Sequence, residues 1–167
     1  MKTTLNKIQR QGLLSHRDTT RIFSSIGKTD LDEPISILTI LDAISLGATL
    51  SCLDVVEGHE REKRLLAVAF ARRVQHLMEP CSVAALNTAE RYARGEATKE
   101  EMMAAKSAAH FVAWNAGADG AARAAAVAVD ADASWAARHA CYASSDRKAE
   151  KIEQEKILRE MLSAIPA

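Results

Sequence analysis

From about Ala104 to Ala143 the chain returns again and again to alanine, and residues 121–143 read AARAAAVAVDADASWAARHACYA. Alanine has the most favourable helix propensity and loses no rotamer entropy when a helix forms. It also buries little area per residue, so such helices are stable only where neighbouring backbones come close enough to make many short contacts. Aromatic residues are 4% of the 167-residue chain, against 48% for all hydrophobic types, so alanine and aliphatic side chains must fill the interior. These constraints predict an all-α fold: one domain spanning 1–167, a compact bundle of about seven helices, with an alanine-rich, tightly packed C-terminal half.

Breakers and caps divide the chain accordingly. Asp18 to Ile26 reads as a short helix ended by Gly27, and Pro34 suits the first turn of the next, whose apolar face is Ile35, Leu38, Leu41 and Ile44. A second short helix covers Leu46 to Val56, before Gly58. From His59 to Glu79 the positions Leu66, Phe70, Val74 and Leu77 form an inward stripe, and Pro80 ends the helix. Ser82 is placed to cap the helix that follows, up to Gly95. Thr98 and Glu101 form a capping box, so a helix should begin there and run through Met102, Ala105, Ala109 and Val112. After Gly117 and Gly120 one long helix is expected from about Ala121 to Tyr142. Ser144 to Asp146 then offers a cap for a last helix from Arg147 to Ser163, with Glu155 four residues before Arg159.

Lys plus Arg equals Asp plus Glu at 22 each, so no global field draws the chain to nucleic acid or to an anionic membrane. Charge is nevertheless segregated. Residues 1–28 carry Lys2, Lys7, Arg10, Arg17, Arg21 and Lys28 against Asp18, a basic N-terminal segment. Residues 29–62 carry Asp30, Asp32, Glu33, Asp42, Asp54, Glu57, Glu60 and Glu62 against Arg61. Either the two stretches neutralise each other, or the acidic one is a face for a partner. No apolar run approaches the ~20 residues of a membrane span, and three widely spaced cysteines without a CxxC pattern suit reduced thiols. A cytoplasmic protein is the expectation.

Chemical motifs fail on inspection. GHEREK at 58–63 lacks the second histidine of HExxH, since position 63 is Lys63. IGKT at 26–29 lacks the upstream glycine and strand of a phosphate loop. His76 with Cys81, and His139 with Cys141, are two ligands each where structural zinc needs four. Glu57, Glu60 and Glu62 fit the positive end of a helix dipole better than an acid and base pair. Neither a metal nor a cofactor is expected. Trp114 and Trp135, with His110, Phe111, His139 and Tyr142, read first as bulky pegs between alanine faces, and alternatively as exposed anchors for a partner.

The pieces GKTDLDEP, ARRVQHLM and AERYARGEAT, followed by the alanine tract and QEKILREML, resemble a group of alanine-rich helical proteins of tailed phages and prophages. The resemblance runs from about Ile26 to Leu162. The portion from RLLAVAFARRVQHLM through AERYARGEAT is also similar to a bacterial immunity-protein family found near polymorphic toxins. Neither group supplies catalytic residues to carry over. The chain departs from the phage group in having only Trp114 and Trp135 where longer tracts carry recurrent tryptophan.

The resemblance implies conflict between bacteria, or between phage and host, inside the bacterial cytoplasm. The expected function is a noncatalytic binding protein that neutralises a protein partner, either a host defence component (as an anti-CRISPR does) or a toxin (as an immunity protein does). Its expected contact residues are Asp54, Glu57, Glu60 and Glu62, with Trp114 and Trp135. The alternatives are a homo-oligomeric assembly protein joined through alanine faces, or a small helical enzyme with a pocket lined by His76, His110 or His139. The alanine tract reads as scaffold, with function written mostly between Gly27 and Glu101.

Overall fold

The computed structural model describes residues 1–27, 30–115, 117 and 119–165. Lys28 and Thr29, the end of the basic stretch and of the IGKT echo, lie outside them. The fold is all-α, with ten α-helices among the described residues where about seven were expected, and with one strand pair. The chain divides into two compact units, Met1–His59 with Leu162–Ala167, and Glu60–Met161.

The first unit opens on a two-residue strand, β1 (Lys2–Thr3), paired antiparallel with β2 (Ile35–Ser36), Lys2 opposite Ser36 and Thr3 opposite Ile35. Between and after them lie α1 (Leu5–Arg10), α2 (His16–Ile26), α3 (Ile37–Ala43) and α4 (Leu46–Ser51), then a 3-10 turn at Cys52–Val55. Each helix begins on a hydroxyl. Thr4, Ser15, Ser36 and Ser45 each accept from the amide three residues on, satisfying a donor the helix leaves unpaired. Gly27 ends α2 in the left-handed region at φ 60°, as its position foretold. Pro34 does not start α3: Ser36 takes the cap, and its hydroxyl fixes the first turn three residues later, from Ile37. The helix expected over 46–56 is α4 alone, its end tightening into the 3-10 turn. Leu5, Ile8, Ile22, Ile37, Ile40 and Leu50 are the buried centre of this unit.

The second unit holds α5 (Glu60–Arg72), a 3-10 turn at Gln75–Leu77, α6 (Pro80–Ala93), α7 (Lys99–Asn115), α8 (Gly120–Val129), α9 (Ala133–Ala143) and α10 (Arg147–Ser163), which runs past the unit's end at Met161. The alanine helix α8 lies against α5, α6, α7 and α9. Ala121, Ala122, Ala124, Ala125, Ala126 and Ala128 are all buried, which only a residue without rotamers allows on so many sides of one helix. The approach to α9 is closest at Gly120, where an added Cβ would stand 2.9 Å from the carbonyl oxygen of His139 and 3.0 Å from the amide nitrogen of Ala143. Larger side chains, Leu66, Phe70, Val74 and Leu86, fill the wider gaps.

Three expectations fail here for stated reasons. The long helix over 121–142 is two helices, because Ala131 adopts φ 66° and the Asp132 carboxylate caps α9 by accepting from the Trp135 amide. Glu79, not Ser82, occupies the cap position of α6, with Pro80 in the first turn; Ser82 is buried within the helix, its Oγ without a hydrogen-bond partner among the described residues. Helix α5 stops at Arg72, so Leu77 falls on the 3-10 turn and is exposed, although Leu66, Phe70 and Val74 are inward as expected.

Other caps form as expected. Thr98 Oγ1 accepts from the Glu101 amide, and Glu101 Oε2 accepts from the Thr98 amide at 2.7 Å, so both ends of the capping box are closed. Asp146 Oδ1 accepts from the amides of Lys148 and Ala149 at the start of α10. Helix α10 is pinned by a buried polar group: Gln154 donates to the Ala137 carbonyl and to Glu150, and Glu150 pairs with Arg73 at 3.3 Å. Farther along, Glu155 accepts from Arg159.

Candidate interaction surface

Helix α7 is lined oppositely from an ordinary amphipathic helix. Its inner side consists of Met102 and small residues, with Ala109 fully buried. Met103, Ser107, Phe111 and Trp114 recur at steps of four, four and three and so share one face, 100° of rotation per residue placing them together on the far side. On that face Met103 is 60% exposed, Phe111 71% and Trp114 87%. Beside it, Asp130 of the α8–α9 turn accepts from Lys106 at 2.6 Å and lies 2.8 Å from His110 Nε2. These two contacts join α7 to the turn. Trp114 and Phe111 are therefore exposed rings and not pegs between alanine faces. Large apolar side chains gathered on one solvated helix face are the usual mark of a docking surface.

A second group of rings stands on the outer face of α9. Trp135, Arg138, His139 and Tyr142 lie at steps of three, one and three. The indole of Trp135 and the imidazole of His139 are stacked with centroids 5.6 Å apart, and His139 meets Tyr142 edge-on at 6.3 Å. The Arg138 guanidinium lies 4.9 Å from the Trp135 centroid and 5.6 Å from that of Tyr142, and its Nε donates to the Tyr142 hydroxyl at 3.1 Å. Arg147 stands 5.4 Å from the same Tyr142 ring. Partial burial, then the positive charges of Arg123 and Arg138, push the pKa of His139 below its usual value.

The acidic candidates are distributed over both units. In the first, Asp54 and Glu57 line a shallow cleft of about 290 Å³ with Lys7, Arg10, Gln11 and Val55. Glu57 accepts from Lys7 Nζ at 2.6 Å, and that hydrogen bond, with the lysine charge, holds its carboxyl below the usual range. The basic and acidic stretches thus meet at this pair, and Asn6 also donates to Asp32 at 2.7 Å. In the second unit, Glu60 accepts from Lys63 at 2.9 Å, and Glu62 lies 3.8 Å from Arg61, all in the first turn of α5.

Neither histidine–cysteine pair gathers a ligand set: among the described residues no group of three or more His, Cys, Asp or Glu side chains is arranged to hold a metal ion. His76 is exposed on its 3-10 turn, and His110 is engaged by Asp130. Cys52 is buried and donates to the Ala48 carbonyl at 3.4 Å; burial, and next the charges of Asp54 and Asp18, push its thiol up to about 12. Cys141 is buried and raised in the same sense, while Cys81 is exposed. Among the described residues no helix is long and apolar enough to cross a membrane. No family model, curated protein or solved structure matches the chain.

Proposed function

We propose that this chain is a noncatalytic binding protein that neutralises a protein partner, and that the partner docks on the outer face of α7. The observation that carries the reading is the placement of Met103, Phe111 and Trp114 in solvent on the side of α7 opposite its alanine face. A helix that turns alanines inward and its largest apolar side chains outward leaves hydrophobic area that association would bury. Aromatic and methionine side chains are also those enriched at interface centres. The sequence resemblance supplies the proposed setting, phage–host or bacterial conflict in the bacterial cytoplasm, with a host defence component or a toxin as the partner.

The test is capture of purified defence complexes or toxins, and of host lysate, on immobilised protein. The comparison is with a variant carrying Met103→Ser, Phe111→Ser and Trp114→Ser. These side chains are exposed, so the variant should melt like the parent and lose the partner. Equal capture by parent and variant would remove α7 from the reading, and no capture from any source would remove the reading itself.

The same exposed face favours one alternative, self-association of two copies through α7. Sedimentation of a monomer at micromolar concentration excludes that role, whereas a dimer that dissociates in the triple-serine variant would establish it.

A further inference from the structure

We infer that the outer face of α9 is a second binding surface, shaped for a carboxylate-rich segment of a partner protein. The first observation is how Arg138 is held. Two rings flank its guanidinium, and the Tyr142 hydroxyl takes its Nε proton, so the side chain is fixed before any ligand arrives. A guanidinium held over a ring keeps its Nη donors for an acceptor in its own plane, and a carboxylate fits two such donors at once.

The second observation is that none of the arginines here is held in an ion pair. Arg123, Arg138 and Arg147 are exposed, and none has a carboxylate partner among the described residues. The nearby acids are engaged elsewhere. Asp132 accepts from the Trp135 amide, Asp146 from the amides of Lys148 and Ala149, and the buried Glu150 pairs with Arg73. Three exposed guanidiniums thus keep N–H donors that the carboxylates of an acidic segment would take up, although Asp132 and Asp146 keep their own charge nearby.

The third observation separates acidic protein from nucleic acid. Single strands are held by bases stacking on open aromatic faces. Here the Trp135 ring already carries the His139 imidazole and the Arg138 guanidinium, and Tyr142 carries Arg138 and Arg147. The rings, each about half exposed, are thus already shared with guanidinium groups that a stacking base would have to displace.

The experiment uses the intact chain, whose two tryptophans give two indole N–H resonances, assigned with Trp135→Phe. A synthetic oligoglutamate peptide is titrated, and an oligothymidylate of equal charge is titrated separately. The expected result is a saturable, salt-sensitive shift of the Trp135 resonance with oligoglutamate while that of Trp114 stays in place. Arg138→Gln with Arg147→Gln should weaken this binding by about tenfold or more, and Arg138→Lys should fail to restore it, because lysine offers charge without the fork. Absence of a saturable shift, unchanged affinity in the double variant, or tighter binding of oligothymidylate would overturn the inference. The probe touches neither α7 nor its partner, so failure here leaves the proposed function standing.

Discussion

Glycine in a helix is normally a weakness, and replacing it with alanine normally stabilises by up to about 1 kcal/mol. Gly120→Ala should do the opposite. An alanine Cβ at this position stands 2.9 Å from His139 O and 3.0 Å from Ala143 N, closer than a carbon approaches either atom without displacement. Both are backbone atoms of α9 or its last turn, so no rotamer change can relieve the contact and the α8–α9 pair must part. Overpacking of this kind costs about 1–3 kcal/mol. Gly120 follows the Asp119 cap directly, where the propensity gain is smaller than in a helix interior. The net expectation is a loss of about 1–2 kcal/mol, or roughly 2–8 °C in Tm. Gly47 is the control: it is the second residue of α4, with nothing within 4 Å of a built Cβ and no positive φ, so Gly47→Ala should gain about 0.4 kcal/mol, the low end for such a change. Denaturant midpoints of the two variants and the parent, followed by circular dichroism, decide the matter. A Gly120→Ala protein as stable as the parent, or two shifts of the same sign, would refute the claim of backbone-limited packing.

Ala125→Leu, which enlarges a fully buried position of α8, should cost about 1–3 kcal/mol by the same logic, and an unchanged melting curve would count against it. Thr98→Ala should cost about 0.5–2 kcal/mol in denaturant unfolding, because it removes the Oγ1 that accepts from the Glu101 amide. The backbone hydrogen bond from Thr98 holds the Glu101 carboxyl below its usual range, so this group stabilises the fold above the ordinary carboxylate pKa and the contribution is lost as pH falls through its lowered folded value. Carboxyl NMR of Glu101 should show that lowered midpoint, and a midpoint at the ordinary value would contradict the closed capping box. Of the three free thiols, only Cys81 should react quickly with a thiol-selective disulfide reagent in the native state, and all three after denaturation. Fast modification of Cys52 would show that its burial is wrong.

What could be read in advance followed from local chemistry. Gly27, the Thr98–Glu101 box, Asp146 and the Glu155–Arg159 pair carry their geometry in short-range backbone and side-chain preferences, and all are found where the spacing put them. The break at Asp130–Asp132 was hidden because alanine favours helix on either side of it, and only the two aspartates hinted that side chains from α7 and the α9 amide would compete for that turn. The exposure of Phe111 and Trp114 was hidden for a related reason. The inward stripe through Met102, Ala105, Ala109 and Val112 is legible at helical spacing, but α7 is apolar on its far side as well, so periodicity did not mark Phe111 and Trp114 as solvent-facing. The Trp135–His139–Tyr142 ladder was visible as a spacing of four and three, but the position of Arg138 across two of its rings was not.

Methyl groups that clasp α8 to its neighbours have no torsion angles to redistribute. An interface of leucines can answer a push by changing rotamers, whereas one of alanines can answer only by moving whole helices. The outward rings of α7 and α9 are thus carried on a frame with little internal slack, and the freedom they would surrender in the proposed docking is confined to their own side-chain rotations. Such a frame acts like a mount for fixed type: what it presents is set before contact, and fit depends on the other surface matching it.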